Sequence, residues 1–137
     1  MNLLFVADPL ESFKVHKDTT FAMMREVQHR GHGVAACEPR DLVWRSGGRV
    51  EALVREITLT GTEDEWFAER RSAVHALADF DAIVMRKDPP FDSEYFYATH
   101  LLQQAEREGA RVFNKPAALR DHPEKPAIME FPQFTSP

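Results

Sequence analysis

The chain has 137 residues, a length that suits one domain, and 43% of them are hydrophobic, which is enough for one ordinary core. Its 17 lysines and arginines against 22 aspartates and glutamates give a formal charge of -5, which argues against a general binder of nucleic acid or of membrane surfaces. The amino terminus carries no basic region and its apolar run is too short for a signal peptide or a membrane span, so we expect a cytoplasmic protein.

A strand followed by a helix is predicted at the start of the chain. The apolar run from Leu3 to Ala7 is typical of a short strand, and a loop follows it. Either Asp18 or Thr19 can cap the next helix, because a short polar side chain there accepts hydrogen bonds from the first-turn amides. Gly31 supplies the left-handed residue that ends such a helix.

The middle of the chain gives weaker signals. Val34 to Cys37 is predicted as a second strand, and Cys37, the single cysteine, as a small buried residue at its end. Leu42 to Thr60 is predicted as an edge hairpin, because Ser46-Gly47-Gly48 suggests a turn between loosely alternating residues. Thr62 to Ala78 mixes a few large apolar residues with many charges, and we expect a mobile or partly helical excursion there.

The last third of the chain is again clearly patterned. Phe80 to Met85 is apolar enough for a buried strand, and two prolines shortly after it prevent its continuation. Asp92 or Ser93 can cap a second amphipathic helix, which Gly109 ends. Arg111 to Phe113 is a further short strand. This alternation of strands and helices predicts an α/β fold, a Rossmann-like open parallel sheet flanked by helices, with the hairpin at its edge.

Several common enzyme signatures are absent from the sequence. It has no G-x-G-x-x-G after the first strand and no P-loop, so neither nucleotide fingerprint is present. It also has no G-x-S-x-G and no H-E-x-x-H, which leaves the hydrolase and zinc-enzyme classes without support.

Polar clusters instead follow the predicted strands: Asp8-Pro9, Glu38-Pro39-Arg40, Arg86-Lys87-Asp88 and Asn114-Lys115. Small ligands of open α/β sheets bind outside the carboxyl ends of the strands, so these clusters are expected to line one cleft. The planar guanidinium of Arg86 can form two hydrogen bonds to a carboxylate, and Lys87 adds a positive charge, so the expected ligand is an acidic small molecule. The alternative for the third cluster is a solvated charged turn.

Five segments of the chain closely resemble bacterial glutathione synthetase: Phe5-Val6-Ala7-Asp8-Pro9, Lys17-Asp18-Thr19-Thr20-Phe21-Ala22-Met23-Met24, Met85-Arg86-Lys87-Asp88-Pro89-Pro90-Phe91-Asp92, Tyr97-Ala98-Thr99 and Asn114-Lys115-Pro116-Ala117-Ala118-Leu119-Arg120-Asp121. The resemblance runs from Leu3 to about Phe134. It implies a ligase that uses ATP and Mg²⁺ to join γ-glutamylcysteine to glycine through an acyl phosphate, and that is a homotetramer when full length.

The resemblance also implies that this chain is only the amino-terminal part of such an enzyme. Residues 1–121 are then the substrate domain, known as the pre-ATP-grasp domain, and residues 122–137 a linker toward an ATP-grasp domain. Members of the family carry most of the nucleotide pocket and the magnesium carboxylates in that later domain. We therefore expect the chain alone to be inactive and to bind neither ATP nor Mg²⁺ tightly.

The resemblance and the charge pattern together suggest substrate-binding residues. Arg86 is expected to contact a carboxylate of γ-glutamylcysteine, with Lys87 supporting it, and Asp18, Thr19 and Thr20 to supply polar contacts at a helix start. The alternative for Asp18 and Thr19 is a plain helix cap.

Lys125 aligns with a family lysine that contacts the phosphates of ATP, which makes it the one candidate cofactor residue. Pro123 and Pro126 depart from the family pattern and restrict the backbone on both sides, so the alternative is a lysine on a solvated linker.

Two other functions stay open at this point. One is a stand-alone, non-catalytic domain that binds an acidic γ-glutamyl metabolite or a partner protein. The other is an oligomerisation module, in which Phe21, Met23 and Met24 pack between subunits rather than in the core.

Overall fold

The computed structural model of the chain describes residues 1–45, 47–87 and 92–113. In these ranges the chain forms one seven-stranded sheet and two α-helices. The strands are β1 (Asn2–Val6), β2 (Gly33–Cys37), β3 (Leu42–Trp44), β4 (Val50–Leu59), β5 (Phe67–Ala76), β6 (Ala82–Met85) and β7 (Val112–Phe113). The helices are α1 (Thr19–His29) and α2 (Ser93–Arg107).

The sheet combines a parallel and an antiparallel part. β1 lies between β2 and β6, and β7 follows β6, all of them parallel. β4 runs antiparallel to β2 and pairs antiparallel with both β3 and β5. Short connections join β3, β4 and β5, and such connections favour antiparallel neighbours, whereas a crossover helix leads from β1 to β2 and from β6 to β7. The α/β class is confirmed, but the sheet is mixed rather than parallel throughout.

Both helices begin and end where the sequence predicts. The Asp18 side chain accepts hydrogen bonds from two first-turn amides of α1, at 2.8 and 3.2 Å, and Asp92 accepts one from the amide of Tyr95 at 2.9 Å. Past the helix ends, Gly31 and Gly109 have φ angles of 85° and 104°, a region that favours glycine. Of the alternative caps, the structure therefore selects Asp18 and Asp92.

The core has two layers, one on each face of the sheet. Along β1, Leu4 and Val6 point to the α2 side, while Leu3 and Phe5 point to the α1 side, and all four are fully buried. Burial on both faces explains why the parallel strands are continuous apolar runs without alternation. Cys37, at the end of β2, is buried as predicted.

The methionines of α1 belong to this core. Met23 and Met24 are buried on the sheet, and Phe21 packs against the same cluster. They are therefore not available as a surface for a second subunit.

The prediction for Thr62 to Ala78 was wrong. Most of this segment is β5, a ten-residue strand that pairs along β4, with Arg70 as the extra residue of a β-bulge. Its residues 68–72 are all exposed, so the apolar alternation that identifies a strand is missing from the sequence. The hairpin predicted from Leu42 to Thr60 is confirmed as β3 and β4, but β4 lies inside the sheet because β2 and β5 also pair with it.

Several predictions lie outside the described residues: Lys125, the domain boundary between residues 121 and 122, and Asp88 of the cluster after Met85. The Asn114-Lys115 cluster lies outside them as well. Within the described ranges, no helix combines the length and the apolar character needed to cross a membrane.

Candidate functional site

Strands β1, β2 and β6 end side by side at one edge of the sheet. The amide of Ala7 donates to the Cys37 carbonyl at 2.9 Å, and the amide of Arg86 donates to the Val6 carbonyl at 2.7 Å. Since the three strands are parallel, the polar residues that follow them emerge at the same edge. The structure thus brings Asp8 and Arg86 together, although they are far apart in the sequence.

Arg86 reaches the first turn of α1. Its Nε lies 3.3 Å from Oγ1 of Thr20, a buried residue at the second position of the helix. A guanidinium and the amides of a helix start are both favourable surroundings for an anion, because each presents N–H groups and positive charge. Arg86 and Thr20 are thus two predicted site residues that the structure brings into direct contact, at a place suited to an anion.

Lys87 pairs with the residue that follows β1. Its Nζ lies 2.9 Å from Oδ1 of Asp8, and the two side chains are half-buried, so the pair is partly open to solvent. This ion pair joins the end of β6 to the end of β1 across the edge of the sheet. Lys87 therefore belongs to the same edge as Arg86, but its charge is partly balanced by a carboxylate from within the chain.

Asp18 and Thr19 take different positions at the start of α1. The Asp18 carboxylate is the helix cap described above, so one of its oxygens is engaged by backbone amides. Thr19 is exposed beside it. The structure confirms capping by Asp18, and it places Thr19 and Thr20 next to that cap.

The Glu38-Pro39-Arg40 cluster follows β2, so it lies at the same edge but on the other side of β1 from Arg86. A cavity of about 20 Å³, room for about one water, is lined by Asp8, Leu10, Ala36, Cys37, Glu38, Asp41 and Arg55. Burial raises the pKa of the Cys37 thiol far above its usual range, and the charges of Asp41 and Glu38 add to that effect. Cys37 therefore stays a neutral thiol, which makes it a poor nucleophile.

Two residues that contact this edge from outside the parallel strands, Trp66 and Arg55, were not predicted from the sequence. Trp66, the residue before β5, donates its indole N–H to the Leu10 carbonyl at 3.2 Å and stacks on Phe13, with ring centroids 5.1 Å apart. Arg55 of β4 lies 3.0 Å from a carboxylate oxygen of Glu11. The single signal was a tryptophan in an otherwise polar stretch, because the contacts themselves span more than forty residues of sequence.

A second cavity, of about 250 Å³, lies away from this edge and includes Asn2 and Gly33 at the starts of β1 and β2. His75, which is half-buried, also lines it. The Glu56 carboxylate in its wall lies 3.4 Å from His75 and 3.1 Å from Arg71, so its charge is matched within the chain. Arg86, Lys87, Asp18, Thr19 and Thr20, the predicted site residues that the structure describes, do not line this cavity.

The candidate site is cationic, because Arg86 and Lys87 lie together beside a helix start. Among the residues that the structure describes, no group of three or more histidine, cysteine, aspartate or glutamate side chains is placed to hold a metal ion.

The family model "Prokaryotic glutathione synthetase, N-terminal domain" matches residues 1–120. Among curated proteins, the chain is similar to the glutathione synthetase of Ralstonia nicotianae, with 51% identity over 137 residues, and to that of Bordetella pertussis, with 49% over 142 aligned positions. The glutathione synthetase of Nitrosomonas europaea is 46% identical over 140 positions.

All three matches cover 100% of this chain, but the chain covers only 42%, 44% and 43% of those relatives, in the order given. The chain thus spans less than half the length of the relatives it matches. The resemblance noted from the sequence is confirmed, because the family model covers most of the chain and the relatives are similar over all of it. The chain belongs to the prokaryotic glutathione synthetase family and corresponds to its N-terminal domain.

Proposed function

We propose that this chain is the substrate-binding part of a cytoplasmic, ATP-dependent ligase that joins γ-glutamylcysteine to glycine. Family membership supports the reaction, and the short span relative to the relatives supports the view that further sequence is needed for it. The observation that carries the binding role is the pair Arg86 and Lys87 at the carboxyl edge of the sheet, beside the start of α1. The full-length enzyme is proposed to be a homotetramer.

In this proposal Arg86 holds a carboxylate of γ-glutamylcysteine. The contact with Thr20 sets the direction of the guanidinium, so less side-chain entropy is lost when the dipeptide binds. Lys87, held by Asp8, adds positive charge next to that carboxylate. Asp18 keeps the first turn of α1 in place, while Thr19 and Thr20 provide the polar contacts at its start.

ATP and Mg²⁺ belong to the full-length enzyme in this proposal. ATP would supply the phosphoryl group of the acyl phosphate, and Mg²⁺ would balance the charge of the phosphates. The described residues do not form a metal site, so no step of the reaction is assigned to them. Lys125 as a contact to the ATP phosphates stays a prediction, since it lies outside the described residues.

Calorimetric titration of γ-glutamylcysteine into the chain tests the binding role. Loss of a hydrogen bond to a charged group costs about 1.5–3 kcal/mol, so Arg86→Ala should weaken binding roughly tenfold or more. Arg71→Ala is the matched control, because Arg71 is also an arginine paired with a side chain of its own chain, but it lies on β5 beside Glu56. Equal affinities of wild type and Arg86→Ala would show that Arg86 does not hold the substrate.

A chimera tests the ligase role. The matching segment of the Ralstonia nicotianae glutathione synthetase, to which the chain is 51% identical, is replaced by residues 1–137. We expect the chimera to form glutathione from γ-glutamylcysteine, glycine and ATP, and to lose most of that activity with Arg86→Ala. A folded chimera without activity would contradict the ligase role of this chain.

A stand-alone binding domain remains the second candidate, and one observation favours it. Both cations of the site find their described partners, Thr20 and Asp8, within this chain, so the site does not depend on another domain for its assembly. Binding of γ-glutamylcysteine by the chain without ATP, combined with an inactive chimera, would select this second function over the ligase.

A further inference from the structure

The loop of residues 9–17 connects the two halves of the proposed site. It begins after Asp8, which pairs with Lys87, and it ends before Asp18, which caps the helix that Arg86 contacts through Thr20. The backbone hydrogen bonds recorded within the loop join close neighbours in the sequence, such as the amide of Ser12 and the carbonyl of Pro9. Such local bonds shape the loop but do not fix it on the sheet, so contacts from elsewhere in the chain must do so.

Trp66 provides one of these contacts. Its side chain is only 4% exposed, and its indole N–H donates to the Leu10 carbonyl at 3.2 Å. The same ring stacks on Phe13 with an interplanar angle of 12°, and it meets the edge of Phe21 in the first turn of α1 at 5.4 Å. One side chain of the antiparallel part thus contacts the loop and the helix that follows it.

Arg55 provides a second contact, three strands away from Arg86. It lies 3.0 and 3.3 Å from the two carboxylate oxygens of Glu11, and its Nε lies 2.6 Å from Glu69 of β5. Its guanidinium also sits 5.0 Å above the ring of Phe67. The hydrogen bond from Arg55 lowers the pKa of Glu11, so this carboxylate is charged and attached at neutral pH.

We propose that Trp66 is a positioning residue for the substrate site, and that with Arg55 it forms a strap that fixes the loop of residues 9–17 between Asp8 and Asp18. The inference rests on the proposed function for its substrate. Ordering a loop at the moment of binding costs conformational entropy, and a loop that is already fixed avoids this cost. The indole needs an acceptor because it is buried, and the loop carbonyl of Leu10 is that acceptor.

The variant Trp66→Phe tests the strap, because it removes the hydrogen bond to Leu10 and keeps an aromatic ring. Trp44→Phe is the matched control: its indole N–H also donates to a backbone carbonyl, that of Gly48 at 3.2 Å, but Trp44 is 46% exposed on β3. Amide hydrogen exchange is measured along the whole chain, and γ-glutamylcysteine is titrated into each variant.

We expect Trp66→Phe to speed exchange of the loop amides by roughly three- to tenfold, as the loss of one hydrogen bond implies, while the amides of β1 and β2 exchange at wild-type rates. Dipeptide affinity should fall by a similar factor, and Trp44→Phe should change neither quantity. If the loop amides of Trp66→Phe exchange at wild-type rates, or if exchange speeds up equally throughout the domain, the proposal that Trp66 fixes the loop is wrong.

Glu11→Gln gives a second test that does not disturb the core, because Glu11 is 64% exposed. It weakens the link to Arg55, and Glu26→Gln is its control, since that change weakens the exposed pair of Glu26 with Arg30 within α1. Faster loop exchange is expected in Glu11→Gln alone.

The two measurements also separate the strap from the proposed function. If the loop loosens and the wild type binds no γ-glutamylcysteine, the proposed function is wrong and the strap stands. If the loop loosens and affinity is unchanged, the positioning role is wrong while the proposed function stands.

Discussion

The parallel and antiparallel parts of the sheet differ in what holds them. Apart from Asn2, every residue of β1 and β6 is buried, so these two strands contribute to the core on both faces of the sheet. β5 is exposed along most of its length, and Leu53 of β4 and Val74 of β5, a cross-strand pair, are 51% and 61% exposed. β1 and β6 are thus held by apolar burial, whereas β5 is held mainly by its pairing with β4, which sequence patterns detect far less well.

The two parts also contribute differently to the site. The parallel strands deliver Arg86 and Lys87 to one edge, because all their carboxyl ends lie there. The antiparallel part contributes Arg55 of β4 and Trp66, the residue before β5, and both contact the loop beside that edge. The antiparallel part thus helps to shape the candidate site that the parallel part supplies with charge.

The largest expected effect comes from removing a side chain of the parallel part. Leu4 is 0% exposed, and Leu4→Ala should lower the free energy of unfolding by about 2–5 kcal/mol, through lost burial and the cavity left behind. Leu53→Ala is the control in the antiparallel part and should cost less than about 1 kcal/mol. Urea unfolding of both variants measures the difference, and similar losses would contradict the contrast between the two parts.

A smaller effect is expected at the two helix caps. Asp18→Ala and Asp92→Ala should each lower the free energy of unfolding by about 1 kcal/mol. The Asp18 change should cost more, because that side chain accepts two amide hydrogen bonds. If Asp18 matters for the site as well as for the helix, its variant alone also weakens γ-glutamylcysteine binding. Equal binding by both variants would leave Asp18 as a plain cap.

Removing the Lys87 charge should have a still smaller effect on stability. Lys87→Met breaks the pair with Asp8 and should cost at most about 1 kcal/mol of unfolding free energy, as ion pairs near the surface do. Arg49→Met, which breaks the exposed pair with Asp79, is the control. Both are followed by thermal unfolding and by dipeptide titration, and only Lys87→Met is expected to weaken binding. Unchanged affinity in Lys87→Met would remove this residue from the site.

The smallest effect concerns Cys37 on β2, the strand where the two parts meet. Its pKa is raised in the folded state, so its contribution to stability is complete below the ordinary thiol pKa of 9.0 and is lost as the pH rises above that value. Urea unfolding at increasing alkaline pH should therefore show falling stability that Cys37→Ala partly removes. A thiol reagent should label Cys37 only in the unfolded chain, and rapid labelling of the folded chain would show that the end of β2 opens.

Short stretches of the sequence were enough to predict the apolar strands of the parallel part, a helix start at Asp18 or Thr19 and another at Asp92 or Ser93, and the position of Arg86 and Lys87 after a buried strand. These features are readable because each depends on residues within a short window: a buried run, a cap and the amides it binds, or prolines that end a strand. Similarity to the family is also a property of the sequence alone, and the family model confirms it.

Three features could not be predicted without the tertiary structure: residues 67–76 form a strand, Arg86 contacts Thr20, and Trp66 contacts the loop at Leu10. Each of these features depends on a partner distant in the sequence. The strand pairs with β4, Arg86 and Thr20 are 66 positions apart, and Trp66 and Leu10 are 56 positions apart. An exposed strand has no apolar period to reveal it, and a hydrogen bond between distant residues leaves no local pattern. The charges of the site were therefore predictable, whereas the contacts that position them were not.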